Sequence, residues 1–162
     1  MTALVFGAGG LGQFAIQYLR LLTAATVVAV DPSQAKRQRA LSLGAHDAAA
    51  PGDDLPAAGA VFDFVGSDAT LRQAVEHVLP AGAVMVVGEA GGRIPFGFAD
   101  SPYEVHLTSS VWGSYDDLRA VLGIAQRGDL TWDVEPLPLD QANEALSRLR
   151  NGEVAGRIVL TP

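Results

Sequence analysis

The chain has 162 residues, 18 acidic and 11 basic side chains, 49% apolar residues and no cysteine. That length suits one domain, the apolar fraction builds a real core, and a charged fraction of only 18% excludes global disorder. The missing cysteines exclude a disulfide scaffold, a cysteine-ligated zinc site within these residues and thiol catalysis, and a net charge of −7 argues against a nucleic-acid partner.

The longest apolar stretch, Leu21–Val30, is well short of the roughly 20 residues that a spanning helix needs. No basic residue precedes Arg20, so the start lacks the charged region of a secretory leader. The expectation is a soluble, cytoplasmic chain with no membrane partner.

In chain order, Thr2–Phe6 is a continuous apolar run, as in a strand buried on both faces. Gly10–Thr23 places Leu11, Phe14, Ala15, Tyr18, Leu19 and Leu22 three and four apart, on one face of a helix. Thr26–Val30 is β-branched and predicts a second strand. Ser33–Leu43 predicts a helix stopped by Gly44. Asp47–Ala49 is at most a short strand, and Pro51–Gly59 is a loop. Val61–Val65 predicts a strand and Ala69–Leu79 a helix capped by Ser67 or Asp68. Ala83–Val87 is a strand. Ile94–Phe98 alternates but contains Pro95, which points to an edge strand. Thr108–Trp112 is a strand, and Ser114 opens a helix to Arg127 with Asp117 at capping-box spacing. The end reads strand Val134–Leu137, helix Leu139–Arg150 and strand Ala155–Thr161. Strands alternating with helices predict an α/β fold whose parallel sheet is covered on both faces.

Gly7-Ala8-Gly9-Gly10-Leu11-Gly12 is a G-x-G-x-x-G. It leaves a buried strand, opens a helix and is followed by a second strand ending in an acid, which is the context of a dinucleotide site. Gly7 allows the tight turn, Gly9 lets the backbone approach a pyrophosphate, and Gly12 lets helix and strand pack closely. The N–H groups of Gly10 and Leu11 then point at phosphate from the helix N-terminus. Asp31, 19 residues beyond Gly12, stands where a carboxylate accepts bonds from the adenosine ribose. A 2′-phosphate about 4 Å from it would be disfavoured by roughly 4 kcal/mol per unit charge at an effective dielectric of 20. The expected cofactor is therefore NAD(H). Lys36 either reaches the ribose 3′-hydroxyl or is a solvated first-turn lysine, and Arg37 and Arg39 beside it leave an opening for NADP. His46, His77 and His106 are scattered, so no metal site is expected. Nor does the chain carry a G-x-S-x-G or a P-loop.

The chain resembles the cofactor-binding half of zinc-dependent medium-chain alcohol dehydrogenases. The matching stretches are GAGGLGQFAIQYLR, AVDPSQAKRQRALSLGAHD, FDFVGSDATLRQAVEHVLPAGAVMVVGE and GEVAGRIVLTP, so the likeness covers nearly the whole sequence. It implies a Rossmann doubly wound sheet of six main strands in the order 3-2-1-4-5-6, with helices on both faces. It divides the chain into a dinucleotide-binding domain, residues 1–132, and a strand–helix–strand tail, residues 133–162. By the same resemblance Leu11 packs behind the nicotinamide ring. Val65 and Gly66 form a wall near the riboses, and Val87, Gly88 and Glu89 form a turn on the nicotinamide side. The main chains of Ser110 and Trp112 bond the carboxamide, and Arg157 contacts the pyrophosphate. Ile94–Phe98 is expected to pair subunits into a homodimer.

In that family a catalytic domain precedes the first strand and supplies zinc, the proton relay and most of the pocket for a small alcohol or carbonyl substrate. The chain starts one residue before that strand, so it reads as a fragment or excised domain. Val134–Pro162 is then expected to be loosely held or shifted, and the 162 residues alone are expected to bind NADH and to carry no catalytic residue. Two other readings stand beside this one. One is a zinc-free, NADPH-dependent quinone or enoyl reductase of the same superfamily, against which Asp31 speaks. The other is a free-standing module that senses NADH.

Overall fold

The computed structural model describes residues 1–162. Strand β1, Thr2–Phe6, is apolar and almost wholly buried, and it stands at the centre of the sheet. Around it run β2, Thr26–Val30; β3, Asp47–Ala49; β4, Ala58–Asp63; β5, Val78–Val86; and β6, His106–Ser109. All five pairings are parallel, in the order β3-β2-β1-β4-β5-β6. This is the predicted 3-2-1-4-5-6 order. It turns back between β1 and β4, and the crevice beyond their carboxyl ends is where such sheets hold ligands.

The alternation of side chains along each strand separates two core layers. Leu4, Phe6, Val28, Val30, Val61 and Val84 face one side, where Ala74 of helix α3, Asp68–His77, packs on them. Val5, Val27 and Ala29 face the other, against Ile16 of helix α1, Gly12–Leu22, and Ala40 of helix α2, Gln34–Ser42. Ile16 is fully buried, and burying a side chain of that size contributes about 1.5–3 kcal/mol. The connection from β3 to β4 carries no helix; Leu55 in that loop is buried and fills the layer instead. Ser67 and Thr70 cap α3 reciprocally, and Ser114 and Asp117 do the same for α4, Tyr115–Gln126. The Ser114 bonds hold the Asp117 carboxyl below its ordinary range.

The strand expected over Val61–Val65 lies at Ala58–Asp63, and the helix expected to reach Leu79 ends at His77, just before β5 begins; two other expected strands change more. Ile94–Phe98 forms no strand: residues 91–96 are irregular and Gly97–Asp100 is a bend and turn. Pro95 offers no N–H to a ladder. The Gly92 N–H is taken by the Gly66 carbonyl at 2.8 Å, and the Arg93 N–H by Asp68 Oδ1 at 2.7 Å. Those bonds draw the segment onto the start of α3 and away from the sheet. The strand expected over Thr108–Trp112 lies earlier, at His106–Ser109, and β6 is one edge of the sheet, β3 the other. Trp112 itself has φ +63°, in the left-handed region, which ends extended structure.

The tail builds a separate two-stranded parallel sheet from β7, Val134–Pro138, and β8, Arg157–Thr161. A single 3₁₀ turn and α5, Ala142–Arg150, connect them. Arg148 grips Glu135 with two bonds of 2.7 Å, which ties α5 to β7 and holds the Glu135 carboxyl below its ordinary range. No helix is long and apolar enough to cross a membrane.

Because folding lowers the pKa of Glu135, its contribution is complete above the ordinary glutamate value and is lost as pH falls through the lowered one. Glu135→Gln is therefore expected to lower the melting temperature at pH 7. Scans repeated toward pH 3 should bring the two proteins together, and a gap that persists unchanged at acid pH would remove Glu135 ionisation as its cause.

Candidate functional site

The chain leaves β1 in a turn that only small residues can make. Gly7 has φ +84° and donates to the Val30 carbonyl at 2.8 Å, joining the ends of β1 and β2. A Cβ on Gly12 would overlap the Gly7 carbonyl oxygen, so α1 can start against β1 only with glycine there. Gly9 and Gly10 differ. A Cβ on Gly9 would meet nothing within 4 Å, and one on Gly10 would meet only Arg157, whose Nε lies 3.1 Å away. The N–H groups of Gly10 and Leu11 carry no main-chain hydrogen bond. Two donors at the positive end of α1 thus open on exposed backbone with the Arg157 cation beside Gly10, which is the chemistry of an anion cradle.

Asp31, at the end of β2, is 5% exposed. Its Oδ2 accepts from the Ala8 N–H at 2.9 Å and its Oδ1 from the Ser33 N–H at 2.8 Å. One carboxylate thereby holds the glycine turn to the turn that opens α2. The neighbouring basic residues separate. Arg37 folds back and donates to the carbonyls of Asp31 and Pro32 at 2.7 and 3.0 Å. Arg39 lies 2.8 Å from Asp133 Oδ2. Lys36 alone of the three lines the cleft.

The far wall is built on Asp63, which ends β4 and is fully buried. Its Oδ1 accepts from the N–H groups of Val65 and Gly66 at 2.8 and 2.9 Å, and its carbonyl accepts from Val87 and Gly88 at 2.8 and 3.0 Å. A single residue shapes both turns beyond β4 and β5, while Oδ2 has no partner. The sequence reading passed over Asp63. Its signal was an acid interrupting the apolar run VFDFVG.

These elements enclose a cleft of about 890 Å³. Gly7, Gly9, Gly10, Leu11, Gly12, Asp31, Lys36, Val65 and Arg157 line it, so most of the expected residues come together. Gly66, Val87, Gly88 and Glu89 do not line it; they form the bonded turns behind Val65. Ser110 donates its N–H to the Val86 carbonyl at 2.9 Å, and Trp112 is 94% exposed; neither lines the cleft. The opposite wall is one face of α5, with Ala142, Ala145, Leu146 and Leu149. Their spacing marks an apolar helical face that the sequence reading placed on no site. No three or more His, Asp or Glu side chains gather in a group that could hold a metal.

The model of the family described as zinc-binding dehydrogenase matches residues 10–127. The chain belongs to the zinc-binding dehydrogenase family. An alcohol dehydrogenase from Geobacillus stearothermophilus is 33% identical, the alignment covering 96% of this chain and 49% of the relative. A D-arabinose 1-dehydrogenase (NADP(+)) from Saccharolobus solfataricus is 31% identical over 99% of this chain and 49% of its own. The solved structure of an acetophenone reductase from Geotrichum candidum, in complex with NAD, superposes with a TM-score of 0.90 at 28% identity, over 99% of this chain and 48% of that one. The chain spans about half the length of the curated relatives it matches. The chain matches the half of the family's fold that bears the cofactor-binding domain.

The two kinds of glycine predict opposite phenotypes. Gly12→Ala should lower the melting temperature sharply, because backbone must shift. Gly9→Ala should leave melting within about 1 °C of the parent and weaken dinucleotide binding at least tenfold, because its methyl group stands in the cleft. Equal stability losses in the two variants would contradict this division.

Proposed function

We propose that this chain binds and orients NAD(H) for an NAD-dependent alcohol dehydrogenase. The whole enzyme would transfer hydride between an alcohol or carbonyl substrate and the nicotinamide ring. The observation that carries the reading is the convergence on one cleft of the Gly10 and Leu11 N–H groups, the Arg157 side chain and the buried Asp31 carboxylate.

The residues present fit a dinucleotide. Gly9 and Gly10 expose backbone where a pyrophosphate comes close, and the α1 N-terminus with Arg157 supplies positive charge. Asp31 accepts from the adenosine ribose hydroxyls, and Lys36 stands beside it. Val65 and the Gly66, Val87, Gly88 and Glu89 turns, held by Asp63, close the cleft toward the nicotinamide, with Leu11 behind the ring. The main chains of Ser110 and Trp112 are assigned to the carboxamide; since the Ser110 N–H already bonds Val86, its carbonyl is the group left to do so. When bound, the dinucleotide supplies the redox chemistry.

Zinc finds no ligand set within these 162 residues and receives no role from them. By themselves the 162 residues are expected to bind NADH and to turn over no alcohol. NADP is the second reading, favoured by the NADP(+)-dependent relative and opposed by the Asp31 charge. Pairing of two copies belongs to the proposal as well, through the Ile94–Phe98 segment, whose Phe96 and Phe98 side chains are exposed. Light scattering should then give twice the chain mass at micromolar concentration; a monomer at all concentrations removes that part.

The central test is a titration with NADH and NADPH, using the parent and Asp31→Asn. Asparagine removes the charge and keeps one of the two acceptors that Ala8 and Ser33 use, so the melting temperature of the variant is measured alongside. NADPH should bind the parent about a hundredfold or more weaker than NADH, and the variant should regain much of that gap. Equal affinity of the parent for both would overturn the NAD assignment, and no binding of either would overturn the cofactor reading itself.

A further inference from the structure

Arg157 has a feature that its proposed role does not explain. Its side chain is exposed and makes no ion pair and no hydrogen bond of its own, yet it stands over Gly10. A long, flexible cation that lacks a partner loses affinity for its anion through the entropy of ordering. What places it is therefore its backbone, at the first residue of β8, in register with Val134 of β7.

The Arg157 N–H donates to the Asp133 carbonyl at 2.9 Å. Gly156 packs so closely that a Cβ there would overlap the same oxygen. The position of Asp133 is set in turn by two helices of the main sheet. On α1, Gln17 is 5% exposed and pairs with both main-chain groups of Thr131: Nε2 donates to the carbonyl at 2.9 Å and Oε1 accepts the N–H at 2.7 Å. The side-chain amide replaces a neighbouring strand. On α2, Arg39 Nη2 lies 2.8 Å from Asp133 Oδ2, a charge contact lacking the alignment of a hydrogen bond. The two helices are those that carry the glycine turn and follow Asp31.

We propose that Gln17, Arg39 and Asp133 form a clip that positions Arg157 at the phosphate end of the cleft, with Gln17 and Asp133 as positioning residues for dinucleotide binding. The clip ties the only cation over Gly10 to the two helices that frame the remainder of the cofactor. It rests on the reading of Arg157 as a pyrophosphate contact. It also accounts for the tail, since residues 133–162 bring Arg157 and the α5 wall to a cleft whose other parts come from the sheet.

The test is a double-mutant cycle read by NADH titration of the chain. Arg157→Ala, Gln17→Leu and Asp133→Asn are made singly, and the latter two are repeated in the Arg157→Ala background. Arg157→Ala should weaken NADH binding about tenfold or more. Gln17→Leu and Asp133→Asn should each weaken it roughly fivefold in the parent and by less than twofold once Arg157 is gone, since the clip then has nothing to place. Arg39→Glu with Asp133→Arg should recover most of the loss seen with Asp133→Arg alone. Asp133→Asn keeps the shape and the main-chain acceptor, so it carries the cycle where Gln17→Leu does not fold. Equal losses with and without Arg157 would mean that the clip is structural only and overturn this inference alone. Unchanged binding in Arg157→Ala would overturn the pyrophosphate assignment, and the clip with it.

Discussion

A carboxylate buried at the end of β2 accepts from two turns at once, and the geometry of the cleft depends on it. Taking a charge out of water is costly unless it is hydrogen-bonded, and Asp31 meets that cost with the N–H groups of Ala8 and Ser33. Those bonds fix the glycine turn relative to α2, so the place of the phosphate cradle and the place of the acidic end are one decision. The same charge then acts on whatever enters. It is poorly screened at that depth, and so its preference against a second phosphate is larger than a surface carboxylate could exert. No neutral side chain offers both acceptors, so structural role and cofactor choice are separated at this residue only by reading stability and binding together.

Asp63 repeats the device one switch point away. It closes β4 as Asp31 closes β2, and its Oδ1 and its carbonyl together hold four N–H groups from two turns. Two acids at the carboxyl ends of two strands therefore frame the crevice that the strand order creates. Away from this centre the burial thins out. Helix α4 has no buried residue although Leu118, Val121 and Leu122 stand on it, and in α5 only Ala145 is buried. The parts held by the core are those that shape the crevice. The tail is held by a few directed contacts, which makes each of them count for more.

What could be read from residues alone follows from how local the cause is. The G-x-G-x-x-G was legible because the turn itself requires Gly7, by its positive φ, and Gly12, by its approach to the Gly7 carbonyl. The six-strand order followed from resemblance, and the sheet has it. The strand over Ile94–Phe98 was misread because its alternation is real, while the bonds that abolish it run from Gly92 to Gly66 and from Arg93 to Asp68, far away in sequence. Asp63 was missed for the same reason: the expected strand Val61–Val65 ran through it, and only its four N–H partners show that the strand ends there. The apolar face of α5 was visible as a stripe, but only the structure gives it a cleft to line.

The basic residues after Asp31 show the distance between charge in a sequence and charge at a site. Lys36, Arg37 and Arg39 lie within nine residues of Asp31 and, counted as charges, would draw a second phosphate as strongly as Asp31 repels it. Folding commits two of them elsewhere. Arg37 is bent onto the carbonyls of its own turn, and Arg39 reaches across to Asp133. Only Lys36 remains on the cleft, opposite a buried carboxylate that cannot move. The balance at the adenosine end is thus one mobile, solvated cation against one fixed, desolvated anion. On the proposed reading the anion would prevail, because a flexible lysine must lose rotamer freedom to reach a phosphate while Asp31 is already in place.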